Sequence, residues 1–138
     1  MAGRRRRQLG GTVVLDAEGV VKAARADRRI QALLTSARNR DARVVVSAVT
    51  LAEILRGSPR DAAFHQILHR SALVPVSVDI GRSAGSLLGS TGMSGATIDA
   101  IVAATAAVQP RPVLLLTSDP GDLARLTGDM PDVVVVPV

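Results

Sequence analysis

Hydrophobic positions along the chain fall into short unbroken runs, separated by longer stretches where apolar and polar residues recur with a helical period. Residues 12–15 (TVVL), 43–46 (RVVV), 73–78 (LVPVSV), 113–116 (VLLL) and 133–136 (VVVV) are short and β-branched or aliphatic. Runs of this kind predict strands buried on both faces. The third is expected at a sheet edge, because Pro75 cannot donate to a ladder. Between the runs, residues 18–40 predict a helix broken near Ala26-Asp27, with Asp27 capping a second helix that ends about Asn39. Ser47 to Arg56 predicts a helix stopped by Gly57 and Pro59, and residues 60–70 another. Asp79 is expected to cap a helix running to about Gly89, followed by a Gly/Ser loop over 89–95, a helix near 97–108 and a short helix over 120–127. Strands alternating with helices imply right-handed βαβ units, and hence a three-layer α/β fold around a mainly parallel five-stranded sheet. Ligands of such sheets bind outside the carboxyl ends of the strands. The residues found there therefore decide the chemistry.

Composition narrows the class. At 138 residues, with 47% hydrophobic and 21% charged, the chain can build one core without crosslinks and is not disordered. The absence of cysteine excludes disulfides, thiolate metal sites and cysteine nucleophiles, and fits the cytoplasm. No run of 18 apolar residues occurs, so no membrane span is expected, and the start lacks the apolar core of a signal peptide. The net charge of +5 comes from 17 basic against 12 acidic residues; without Arg4 to Arg7 the balance is 13 against 12. The body is thus nearly neutral and the basicity is terminal. Residues 1–11 read as a basic, disordered arm ahead of a domain over 12–138. Such an arm can hold nucleic acid by counterion release, but terminal charge runs are more commonly just solvated. Phe64 is the sole aromatic, which argues against single-strand binding by base stacking. Lys22 is the sole lysine.

Four carboxylates stand where burial is expected. Asp16 directly follows the first strand, and Asp119 follows the fourth in Leu116-Thr117-Ser118-Asp119-Pro120. Asp99 opens an otherwise apolar helix, and Glu53 is one charge among aliphatics in Thr50-Leu51-Ala52-Glu53-Ile54-Leu55. Isolated buried carboxylates are costly. Several converging without lysine partners repel one another unless a cation lies between them. Hard oxygen donors with little nitrogen or sulfur select Mg²⁺ or Mn²⁺, and such ions activate water and stabilise phosphoryl charge. The pattern points to metal-assisted phosphoester chemistry. Taken singly, each acid also has an ordinary reading. Asp99 can be a helix cap or first-turn anion, Asp119 a turn residue before Pro120, and Glu53 a partner for Arg56.

Other arrangements are weaker. His65 and His69 are four apart, but Gln66 stands where a zinc protease needs glutamate. Gly10-Gly11 precedes a strand instead of following one. Gly89 to Gly95 reads as a connection, or as a mobile rim beside Asp99. Haloacid-dehalogenase-type phosphatases need Asp-x-Asp and a distant lysine, whereas this chain has Asp16-Ala17-Glu18 and only Lys22. Phosphoryl-receiver domains need a late lysine, which is missing.

The motifs Val14-Leu15-Asp16-Ala17, Ser47-x-x-Thr50-Leu51-Ala52-Glu53, Asp99-Ala100-x-x-Ala103-Ala104-Thr105-Ala106 and Leu116-Thr117-Ser118-Asp119-Pro120-x-Asp122-Leu123 together resemble the PIN-domain family. Within it, the chain looks most like the VapC-like toxins of bacterial toxin–antitoxin pairs. Order and spacing agree across residues 12–136. The resemblance implies a Mg²⁺- or Mn²⁺-dependent endoribonuclease with strand order 3-2-1-4-5. Carried over motif by motif, Asp16, Asp99 and Asp119 would ligate metal directly. Glu53 would do so directly or through water and help orient the attacking water. Thr117 would support the site through its hydroxyl, and Asp122 reads as a supporting acid behind Asp119. An antitoxin whose C-terminal segment covers the site, and a homodimer, are implied in the same way. The alternative class is a non-catalytic PIN-fold module that binds RNA or protein.

Overall fold

The computed structural model describes residues 10–138. The Arg4 to Arg7 arm therefore lies outside the described residues. Five parallel strands form one sheet in the order β3-β2-β1-β4-β5: β1 is Thr12–Leu15, β2 Arg43–Ser47, β3 Ala72–Val74, β4 Val113–Thr117 and β5 Val133–Pro137. The helices are α1 (Ala17–Ala24), α2 (Arg28–Asn39), α3 (Ala48–Ile54), α4 (Ala62–His69), α5 (Val78–Thr91), α6 (Thr97–Ala107) and α7 (Pro120–Leu126), with a 3-10 turn over Pro59–Asp61.

β1 lies at the centre, every residue buried, and alternation along it divides the core. Val13 and Leu15 pack with Val20, Ile30, Leu34 and Leu68 on one side of the sheet. Val14 packs with Ile80, Ala100, Ala103, Leu123 and Leu126 on the other. α6 is buried along most of its length (Ala100, Val102 to Ala106), which explains why its sequence is apolar all round. The register sets Val14 beside Val45 and Leu115, and Leu15 beside Leu116. The chain leaves β1 towards β2 and β3, then returns to the opposite side of β1 as β4. The switch in direction therefore falls between β1 and β4, where open α/β sheets form a ligand crevice.

Several element boundaries differ from the sequence expectation. β3 stops at Val74, and Val76 and Val78 do not continue it. Pro75 ends the ladder, and Ser77 turns the chain by accepting from the Ile80 amide at 3.1 Å. Ser77, not Asp79, is thus the cap of α5, and Asp79 sits in its first turn. That helix passes through Gly89 to Thr91 and ends at Gly92, which takes the left-handed φ of 67° that glycine adopts without strain. The expected 89–95 loop shrinks to 92–96, and it is anchored, since Met93 and Ala96 are buried. α3 ends at Ile54, before Arg56. Packing already includes Gly10 and Gly11, both buried, with the Gly11 carbonyl accepting from the Arg43 amide at 3.0 Å.

Candidate active site

Asp16 leaves β1 in extended backbone, and its side chain caps α1 by accepting from the Gly19 amide at 2.8 Å. Position 19 is tight for any larger residue. A Cβ there would stand 3.2 Å from the Leu116 carbonyl and 3.3 Å from the Leu15 Cβ. The close approach of α1 to β1 and β4 thus fixes the Asp16 carboxylate at the strand end. Thr117, the last residue of β4, accepts from the Asp119 amide through its hydroxyl oxygen at 3.1 Å. The same hydroxyl donates to the Asp119 carbonyl at 3.3 Å. The Thr117 side chain thus holds the turn that carries Asp119 off the end of β4, and it is among the groups that favour the charged form of Asp16.

The remaining acids arrive on helices. Glu53 lies near the end of α3. Arg56, the alternative partner, donates instead to the carbonyls of Ala52 (3.0 Å) and Leu55 (2.7 Å). Asp99 is in the first turn of α6, whose cap is Ala96; Asp99 is not the cap. Asp119 stands at the cap position of α7 but makes no side-chain capping bond, so its carboxylate serves no local helical role. Asp122 follows one turn later.

These carboxyls act on one another. Burial raises Asp16 above its ordinary value, and the charge of Glu18 adds to this; the bonds from Thr117 and Gly19 pull the other way without cancelling it. Glu53 is raised first by burial, then by the charges of Asp16, Asp99 and Glu18. Asp99 is raised by burial, then by Asp122, Asp16 and Asp119. Asp99 is thus the hub, in electrostatic contact with acids from β1, α3 and α7. No basic group is among the causes for any of the three. One member of this set, Glu18, was not among the expected site residues, and another, Asp122, acts more strongly than its expected supporting place suggests. Glu18 bears on both Asp16 and Glu53; its signal was its place two residues after Asp16 in a first turn. Asp122 weighs on Asp99 more than Asp119 does. The acids are neighbours and not a finished ligand shell. Among the described residues, no three acidic or histidine side chains are gathered as a metal-holding group.

His65 and His69 lie apart from this set on α4, their rings 6.5 Å apart. The charge of His65 acts on Asp61.

Residues 13–128 match the model of the PIN domain, and the chain belongs to that family. Its fold is similar to that of VapBC2 from Rickettsia felis, solved bound to a DNA fragment from their promoter. The TM-score is 0.69 at 17% identity, covering 92% of this chain and 98% of that one. It is also similar to a toxin–antitoxin complex from Klebsiella pneumoniae, with a TM-score of 0.66 at 18% identity and coverage of 91% and 99%. None of the curated proteins is matched by the sequence. Among the described residues, no helix is long and apolar enough to cross a membrane.

Proposed function

We propose that the chain is a Mg²⁺- or Mn²⁺-dependent endoribonuclease, the toxin of a toxin–antitoxin pair. Asp16, Glu53, Asp99 and Asp119 are its metal-holding and catalytic acids, and Thr117 and Asp122 support them. The observation that carries this reading is the crowding of carboxylates from the end of β1, from α3 and from the start of α7 around Asp99 at the switch point of the sheet, with no basic group among the influences on Asp16, Glu53 or Asp99. The donor set is all hard oxygen, which suits Mg²⁺ or Mn²⁺ and not a softer metal. A cation bound there would lower the pKa of a coordinated water and offset charge developing on phosphoryl oxygens.

The chain's own groups have distinct tasks. The Gly19 amide holds the Asp16 carboxylate in one orientation, and Thr117 favours its charged form. Glu53, with its proton affinity raised by burial and by Asp16 and Asp99, is suited to orient a water and accept its proton. Asp99 and Asp119 supply further anionic oxygen. The toxin assignment draws on the toxin–antitoxin assemblies among the similar folds. By that reading the partner is an antitoxin whose C-terminal segment covers the acids, the chain pairs with a second copy, and it works in the cytoplasm.

The absence of a gathered ligand group among the described residues favours the second reading, a PIN-fold module that binds RNA or protein without cleaving. One assay separates the two: cleavage of single-stranded RNA with Mn²⁺ or Mg²⁺, repeated in EDTA. The nuclease reading expects cleavage that EDTA abolishes. Cleavage surviving EDTA, or none with either metal, overturns it.

A further inference from the structure

We infer that Arg125, with the groove between α7 and the 92–96 loop, holds an RNA phosphate neighbouring the one presented to the acids. This rests on the nuclease reading and names the surface that carries the substrate backbone. Asp119 stands at the cap of α7, and within the helix Asp122 and Arg125 are three residues apart, which places these two on one helical face. At about 1.5 Å per residue, the backbones of Asp122 and Arg125 stand about 4.5 Å apart along the helix axis. Asp122 and Arg125 line an open groove of about 430 Å³, whose opposite wall is the loop from Gly92 to Ala96. Asp122, which weighs on Asp99, is thus common to the acidic cluster and the groove. Ala96, three residues before Asp99, closes the same wall.

Charge and shape favour a phosphate here. A strand approaching a cluster of carboxylates is repelled, and the body of the chain carries almost no net positive charge to offset this. Arg125 supplies a cation at the cluster's edge. It is exposed, and its hydrogen bond among the described residues is a 3.5 Å contact to the Thr91 carbonyl, at the limit of such bonds. A guanidinium fork matches phosphate oxygens in pairs. The loop wall is built largely of small residues and leaves room for sugar and phosphate. Phe64 packs within the hydrophobic cluster on the other side of the sheet, so the groove offers no aromatic ring to stack a base. Contact here is to the backbone, which is sequence-independent. A second groove of similar volume, lined by Arg82, Ser83, Ser86 and Ser90, includes no acidic residue. It gives a built-in control.

The test compares the wild-type chain with Arg125→Ala, Arg125→Lys and Arg82→Ala on a short single-stranded RNA. Binding is read by anisotropy in EDTA across a KCl series, and kcat and KM are read in Mn²⁺. Thermal melts check folding. Arg125→Ala should raise Kd and KM roughly tenfold and lower the salt slope by about 0.7, one phosphate's worth. Its kcat and Mn²⁺ affinity should stay within about twofold. Arg125→Lys should recover the slope, and Arg82→Ala should match the wild type. Unchanged Kd, KM and slope in Arg125→Ala overturn the inference. A fall in kcat at constant KM also overturns it. If the wild type binds RNA through Arg125 but never cleaves, the groove stands and the nuclease reading fails. If it neither binds nor cleaves, both fail.

Discussion

Asp61 and Asp99 are the same residue type, each in a first turn beside a short loop, and the protein moves their carboxyls in opposite directions. Burial works to raise Asp61, but the amides of Arg56 (3.0 Å) and Gly57 (2.8 Å), the Ser58 amide and the charge of His65 outweigh it and hold the acid below its ordinary value. Burial also raises Asp99, and every further influence on it is another carboxylate. Asp61 organises the chain as it leaves α3, binding the amides that follow the helix. Asp99 receives no comparable compensation from its surroundings. A carboxylate that folds a loop is hydrogen-bonded by backbone; one kept among like charges needs another reason to be there, and a cation supplies one.

The largest effect that can break this contrast is at Asp99. Asp99→Asn should reduce RNA cleavage by more than about 100-fold, beyond the range of outer-shell losses. In EDTA the same variant should melt at or above the wild-type temperature, because a repulsive charge is gone. Clear destabilisation in EDTA would show instead that Asp99 mainly serves the first turn of α6, where a negative charge favours the helix dipole.

Next is the pair on α7. Asp119 has no capping bond to lose, and its backbone is held on both sides by the Thr117 hydroxyl, which accepts from its amide and donates to its carbonyl. Asp122 has a dipole-compatible place in the first turn and acts on Asp99 from the groove side. Asp119→Asn is therefore expected to remove nearly all activity and weaken Mn²⁺ binding. Asp122→Asn should keep a fraction, about 10–100-fold down. Cleavage of one RNA by both variants across a Mn²⁺ titration decides it. Greater damage from Asp122→Asn would transfer the fourth metal-holding role to that residue.

The contrast also shows what a sequence carries. The five strands were legible as short apolar runs such as Val13-Val14-Leu15, which is buried on both faces, but burial was not: Val133 to Val136 reads the same way, yet β5 is an edge strand with Val134 exposed. The PIN fold and strand order followed from the four motifs. The β3–α5 junction was not legible. Val74-Pro75-Val76-Ser77-Val78 has a strand's alternation, and nothing local says that Ser77 caps a helix and not that the strand continues. Gly89 and Gly92 look alike in sequence, yet only Gly92 takes the left-handed turn that ends α5. At the site, position after a strand marked Asp16 and Asp119. The weight of Asp122 and Glu18 on their neighbours depends on how α7 and α1 pack, which no spacing rule contains. Asp61 and Asp99 are likewise indistinguishable until the amides around each are seen.

A smaller effect lies in pH. Asp16, Glu53 and Asp99 hold protons more tightly when folded. Their part of the stability therefore falls as pH rises from below their ordinary values, 3.8 for the aspartates and 4.5 for the glutamate, through the raised ones. Asp61 does the reverse. Its contribution is present above 3.8 and is lost as pH falls through its lowered value. In EDTA, Asp99→Asn should flatten the decline towards neutral pH. Asp61→Asn should lower the melting temperature at neutral pH and leave that decline in place. Equal slopes in the wild type and Asp99→Asn would remove the electrostatic basis of the contrast.

The smallest effect concerns Thr50, which stands between the two cases. It is fully buried, one turn before Glu53, and its hydroxyl has no hydrogen-bond partner among the described residues. Thr105 and Thr127 are buried too, yet each donates to the carbonyl four residues back, Ile101 and Leu123, at 2.8 Å. The helix start explains the difference. Thr50 is the third residue of α3, so four residues back lies Val46, in β2 and not in the helix. Its hydroxyl is enclosed, so it cannot meet a substrate in the crevice. A buried polar group without a partner costs stability, whereas an apolar group of the same shape does not. Thr50→Val should therefore leave cleavage within about twofold and stabilise the fold by up to about 1 kcal/mol in a denaturant melt. A loss of cleavage with unchanged stability would place Thr50 with Asp99, as a group whose cost is tolerated for the site. A loss of stability would place it with Asp61, as one that holds the fold.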